Sequence, residues 1–222
     1  FPLVTHKESK AARDAGRLYM SILVGTSVVL LLPAVIYVWV KTGTLDFVPG
    51  GILAGHVTPA ALPWLLACFA FGIGKAALMP FHRWLPAAMV APTPVSALLH
   101  AVAVVKAGVF TMLTVVVYVF GIDFLADNAG SDWLVWLASF TILASSFVAI
   151  SKDDLKARLA YSTISQLSYI VLGAAIATSI AAQGAALHIV MHAAGKITLF
   201  FCAGAIYVRA HLTKISELDG QG

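Results

Sequence analysis

Six apolar runs, each long enough to cross the ~30 Å hydrocarbon core of a bilayer, constrain this chain more than any other feature. They lie near Arg17–Val40, Leu62–Met79, Val95–Phe120, Trp133–Ile150, Leu159–Thr178 and Ala186–Val208. Inside hydrocarbon an open strand would leave backbone N–H and C=O groups unpaired, so all six are expected to be helices. The expected fold class is all-α: a polytopic transmembrane helix bundle forming one membrane domain over residues 1–222. Composition argues against a soluble alternative. Of 222 residues, 60% are hydrophobic and 11% charged, and the mean hydropathy is +0.93. A globule of this size is mostly surface and cannot hide that much apolar area. Cys68 and Cys202 sit in apolar runs and are expected as small buried hydrophobes, with no disulfide framework.

The net charge of +4 would suggest nucleic acid in a soluble protein. Here the basic residues fall in short loops and read as topology signals, so no nucleic-acid partner is expected. One side holds Lys7, Lys10, Arg13, Arg17, Arg83, Lys152, Lys156, Arg158, Arg209 and Lys214. The other holds only Lys41, with Asp46, Asp123, Asp127 and Asp132. By the positive-inside rule the basic side is cytoplasmic, so the fragment is expected to begin and end on that side of a bacterial inner membrane. The chain opens at Phe1 without Met, Phe1–His6 reads as the tail of an earlier helix, and Gly222 follows soon after the last run. An interior piece of a longer protein is expected.

The second run is followed by Pro80 and Pro86, and Pro92 and Pro94 precede the third, with a short helix expected between, near residues 83–91. Two readings stand side by side. In one, a helix is interrupted at membrane depth and lines a protein-buried or watery cavity. In the other, Pro80 simply ends the span and a cytoplasmic loop follows.

Three lysines and three histidines lie inside the runs: Lys75, Lys106, Lys196, His100, His188 and His192. Each charge costs at least ~3 kcal/mol to insert. Lys75 is flanked by small residues, in Gly72-Ile73-Gly74-Lys75-Ala76. Its bland alternative is snorkelling to the nearby membrane surface. His188, His192 and Lys196 are spaced i, i+4, i+8 and form a stripe about 12 Å long on one helix face. Two imidazoles leading to an ammonium suit stepwise proton hopping. Helix–helix hydrogen bonding and a metal or haem site on His188 and His192 are the competing readings, although Lys196 would repel a cation. His100 and Lys106 point about 120° apart on a regular helix, unless a local bulge brings them together. Ser162, Thr163, Ser165, Gln166 and Ser168 cluster in the fifth run, as helix glue or as a lining for water. No Asp or Glu lies inside any run, so a carboxylate partner is expected in the rest of the protein or in another subunit.

These residues carry a resemblance. The run from Lys75 to Pro86, the run from Ala91 to His100, Lys106-Ala107-Gly108-Val109, the run from Asp154 to Gln166, and the His188, His192, Lys196 helix are similar to the antiporter-like subunits shared by respiratory complex I and Mrp-type cation/proton antiporters. Val104–Gly108 looks most like the D-type component of the Mrp complexes. The resemblance implies about fourteen helices in two inverted repeats, each with a broken helix, of which this chain covers the end of the first and the start of the second. It implies that Lys75 is the channel lysine, that Lys106 with His100 is the linking group, and that His188, His192 and Lys196 are the central groups. It places a glutamate before this segment and a second broken helix after it. The function it implies is translocation of protons and a monovalent cation, Na⁺ or K⁺, by one subunit working beside other membrane subunits. No cofactor or metal is expected, and the isolated segment is not expected to transport. The alternatives are a proton-pumping subunit of an NADH:quinone oxidoreductase or membrane hydrogenase, a non-transporting scaffold, and a His-ligated membrane redox protein.

Overall fold

A computed structural model describes residues 2–5 and 9–220; Lys7, counted above on the basic side, lies outside them. Among the described residues four helices are long and apolar enough to cross a membrane: α1 (Lys10–Thr42), α3 (Thr93–Phe120), α4 (Asp132–Ser151) and α6 (Ser179–Ala210), numbered with α2 (Pro59–Gly72) and α5 (Leu155–Ala175) in chain order. At 21 residues α5 is about 32 Å long, enough to span. It is more polar than the others because it carries Ser162, Thr163, Ser165, Gln166 and Ser168.

Polar caps set several helix ends. The Ser9 hydroxyl accepts from the Ala12 N–H at the start of α1, the Asp154 carboxylate from the Ala157 N–H at the start of α5, and the Thr178 hydroxyl from the Ala181 N–H at the start of α6. Gly43, at φ 72°, ends α1 in the left-handed conformation. Within α1 a π-turn covers Ser27–Leu31. Pro33 lies two residues beyond it, and the missing proline N–H accounts for the widened turn.

The second span departs from its expected course. Its α-helix stops at Gly72, well short of Met79 and of Pro80. Ile73 leaves the helical region (ψ 38°), a 3₁₀ turn takes Gly74–Ala76, and Ala77 is left-handed at φ 55°. The α-helical part, Leu62–Gly72, is only about 16 Å long, short of a full span. The reason lies in packing. A Cβ at Gly72 would lie 2.6 Å from the Leu31 backbone nitrogen, one at Gly74 2.6 Å from the Thr26 hydroxyl, and one at Gly108 2.4 Å from the Lys75 carbonyl carbon. The glycines let α1 and α3 press directly on the broken segment. The carbonyl of Gly74, which accepts from the Ala77 N–H within the 3₁₀ turn, also accepts from the indole N–H of fully buried Trp84 at 3.0 Å. Trp84 stands on a short helix, Trp84–Ala87, extended by a 3₁₀ turn over Ala88–Val90, and packs edge-on against Tyr19 of α1.

Helix α5 is the centre of the bundle, packed on α4, α6 and α3. Its buried residues alternate Ile164, Leu167 and Ile170 with Thr163, Ser165 and Ser168. The outer helices show the reverse pattern, with Val24, Val28, Val29 and Ile36 of α1 and Phe140, Leu143, Phe147 and Ile150 of α4 exposed, a surface suited to lipid or neighbouring helices. Cys202 is also exposed and Cys68 half-buried, not the fully buried pair expected, because much of α6 is uncovered in this chain.

The loop from Lys152 to Arg158 ties one end of the bundle together. Arg158 donates to the carbonyls of Lys152 and Ile150, closing the end of α4. The Lys156 ammonium donates to the carbonyls of Met89 and Ala91, closing the segment that follows Trp84. Asp153 holds the segment after α6: its carboxylate accepts from the Ser216 N–H at 2.9 Å and the Ser216 hydroxyl at 2.8 Å. Those bonds hold the exposed Asp153 carboxyl below the usual carboxylate range. A depressed acid stabilises above its unfolded value, about 3.9, and loses that contribution as the pH falls through the lower folded value. The protection factors for hydrogen exchange at residues 212–218 are therefore expected to fall as the pH drops below about 4. Asp153→Asn should bring the same loss of protection at neutral pH, and unchanged protection in that variant would show that the clasp does not hold this segment.

Candidate functional site

The π-turn at Leu98–Val102 lets α3 present two groups to α6. His100, fully buried, meets the ring of Phe200 at 5.6 Å. Lys106, two turns on, hydrogen-bonds His192 Nδ1 through its ammonium. The local bulge expected as one way of bringing His100 and Lys106 together is present, and both side chains reach α6.

On α6 the i, i+4, i+8 stripe is intact. The rings of His188 and His192 are parallel within 6° at 6.0 Å. His188 Nε2 bonds the Gln166 side-chain oxygen at 2.8 Å, and the Lys196 ammonium donates to the Ser162 hydroxyl at 2.5 Å. Since α5 and α6 run antiparallel, Ser162 and Gln166 fall opposite Lys196 and His188. Gln166, His188, His192 and Lys106 thus form one continuous row, with Lys196 and His100 beside it. Both nitrogens of His100 and Nε2 of His192 have no hydrogen-bond partner among the described residues. Neither Lys106 nor Lys196 forms an ion pair there; the two ion pairs present, Arg17 with Asp14 and Lys214 with Glu217, are exposed.

Lys75 stands apart from the row. It lies in the 3₁₀ turn beyond the break with its side chain exposed, while its backbone packs against Gly108, two residues from Lys106. Five of the six expected residues are therefore drawn together around α6 and the sixth is set at the helix break. A metal on His188 and His192 would lack a further ligand, since no group of three or more His, Cys, Asp or Glu stands together among the described residues. Of the polar cluster on α5, open between helix glue and a lining for water, Gln166 and Ser162 are the partners of the stripe. The signal was the four-residue spacing of Ser162 and Gln166 on an antiparallel neighbour.

Lysines and histidines buried in a bundle of membrane-length helices, beside a helix broken short of a full span, define an integral membrane protein with an ionisable interior. The chain belongs to the family described as NADH:quinone oxidoreductase/Mrp antiporter, TM, whose pattern matches residues 1–220. It is 37% identical over 217 residues to the A/B component of a probable K(+)/H(+) antiporter of Rhizobium meliloti, covering 94% of this chain and 20% of that protein. It is 34% identical over 208 residues to the NAD(P)H-quinone oxidoreductase chain 5 of Synechocystis, covering 90% and 29%. Among solved structures it superposes on one polypeptide of the Mrp complex from Dietzia sp. with a TM-score of 0.79 at 30% identity, covering 92% of this chain and 22% of that one. The chain spans less than a third of the length of each. The family and the all-helical membrane fold expected from the motifs are borne out. The antiporter relative carries an A/B designation, so the finer likeness to the D-type component finds no support in it.

Proposed function

We propose that this chain is the central membrane portion of one subunit of an Mrp-type monovalent cation/proton antiporter, and that Lys106, His192, His188, Lys196 and His100 form the middle of its proton path. The observation that carries this reading is the hydrogen bond between Lys106 and His192, which joins α3 to α6 through two buried basic groups that have no carboxylate among the described residues. Two groups that can each hold a proton, held in contact inside a bundle, are a unit of proton transfer. Lys75 would act at the break, coupled to Lys106 through the packing of its backbone on Gly108. The six helices are taken as one transmembrane unit in a bacterial cytoplasmic membrane, with the Lys152–Arg158 end facing the cytoplasm by the positive-inside rule. The partners are further membrane subunits and the remainder of the same polypeptide. These are expected to supply the missing carboxylate. The transported ions are H⁺ and Na⁺ or K⁺.

The likeness to a quinone oxidoreductase chain favours a second reading, in which the same path serves a redox-driven proton pump. The reading frames encoded beside this one separate the two. The path itself is tested with Lys196→Met in the full-length protein and its complex, in everted vesicles challenged with NaCl or KCl. Lys196 is 4% exposed, and methionine keeps its length without its proton. Exchange is expected to fall at least about ten-fold, the order that losing one buried charge-assisted hydrogen bond gives. Wild-type exchange at normal protein levels would remove Lys196 from the path.

A further inference from the structure

An imidazole that carries protons has two nitrogens, and which one exchanges depends on what holds the other. Around His188 the surroundings are specific. Nε2 bonds the Gln166 side-chain oxygen at 2.8 Å. One ring face lies parallel to His192 of α6, and Tyr169 of α5 stands edge-on at 6.3 Å. Lys106 of α3 is the nearest cation, one residue further along the row on His192. His188 is half-buried, with its ring between His192 and Tyr169, and the bond from Nε2 to Gln166 is what orients it.

We propose that Gln166 is a positioning residue that makes Nδ1 the exchanging nitrogen of His188. This rests on the reading of the row as a proton path. The Gln166 carbonyl accepts from Nε2–H when His188 is neutral and again when it is charged, so that hydrogen bond survives the whole cycle. A proton binds the Nδ1 lone pair, making the imidazolium, and leaves from the same nitrogen; the Nε2–H bond is neither broken nor made. An amide suits the place. Its oxygen is a good acceptor but, unlike a carboxylate, carries no net charge, so it fixes the tautomer without trapping the proton. Gln166 does for His188 what a backbone carbonyl does for many histidines that work through a single nitrogen.

The test uses the full-length protein in its complex. In Gln166→Glu a carboxylate of the same length faces Nε2–H and holds the imidazolium more firmly, so the pH profile of exchange is expected to move about one unit to higher pH. In Gln166→Met the chain length is kept without the acceptor, and exchange is expected to slow about ten-fold at every pH. Histidine ¹⁵N NMR, with the His188 signal identified by its loss in His188→Gln, should show neutral His188 protonated at Nε2 in the wild type. A wild-type signal protonated at Nδ1, or a Gln166→Glu profile lying on that of the wild type, overturns the proposal. His188→Ala separates the two levels of the argument. If that variant exchanges normally, the proton-path reading of His188 fails. If it is inactive while the Gln166→Glu profile is unmoved, only the role of Gln166 fails.

Discussion

Lys106→Met in the full-length protein is expected to stop cation-dependent proton exchange while the protein still accumulates in the membrane. Lys106 is 6% exposed, and its ammonium is the partner of His192 Nδ1. Methionine matches the length and fills the same space. Two stability effects oppose each other. Leaving a buried ring nitrogen unpaired costs about 1–3 kcal/mol, and removing the lysine relieves an insertion cost of about 3 kcal/mol. Folding should therefore change little. Exchange should change greatly, because the row loses the group that joins α3 to α6. A loss of about a hundred-fold corresponds to roughly 2.7 kcal/mol, within the range for a hydrogen bond to a charged group. Lys106→Arg sharpens the result. Arginine keeps the charge but does not release its proton at any physiological pH. It should be nearly as inactive as methionine if proton exchange matters, and active if a fixed positive charge suffices. Vesicle exchange rates normalised to protein in the membrane decide it, and wild-type rates in Lys106→Met would end the role assigned to this residue.

The second large effect is on folding. Gly108→Ala would place a methyl carbon 2.4 Å from the Lys75 carbonyl carbon and 2.6 Å from the Ala76 nitrogen. Both are backbone atoms, so no rotamer change relieves the clash. The helices must separate at the point where α3 meets the broken segment, at a cost of about 1–3 kcal/mol or more. The thermal midpoint in detergent should fall by several degrees, and less protein should reach the membrane. Gly195→Ala is the matched control. Gly195 lies on α6 with nothing within 4 Å of a Cβ, and alanine in an open helical position is neutral or stabilising by up to about 1 kcal/mol. Equal stability of the two variants would mean that α3 does not rest on the broken segment.

Much of this molecule is decided along the chain. Runs of Val, Leu, Ile and Ala long enough to span hydrocarbon favour helices there, because an exposed backbone group has no water to pair with. The His188, His192, Lys196 stripe follows from helical periodicity alone, and so does the expectation that Lys75, Lys106 and His100 matter, since charge at membrane depth is costly wherever it falls. These are local sums over residues and need no knowledge of neighbours. What the tertiary structure decided is which groups meet. The break falls at Gly72–Ala77 rather than at Pro80 because α1 and α3 press on glycines there, a contact no local rule contains. Lys106 pairs with His192, and Ser162 and Gln166 take up Lys196 and His188, because of how α3, α5 and α6 are rotated and staggered about one another. Hydropathy fixes that a helix lies in the membrane and leaves its rotation to packing; rotation gathers five of the residues around the row, and the break in the second run sets Lys75 outside it.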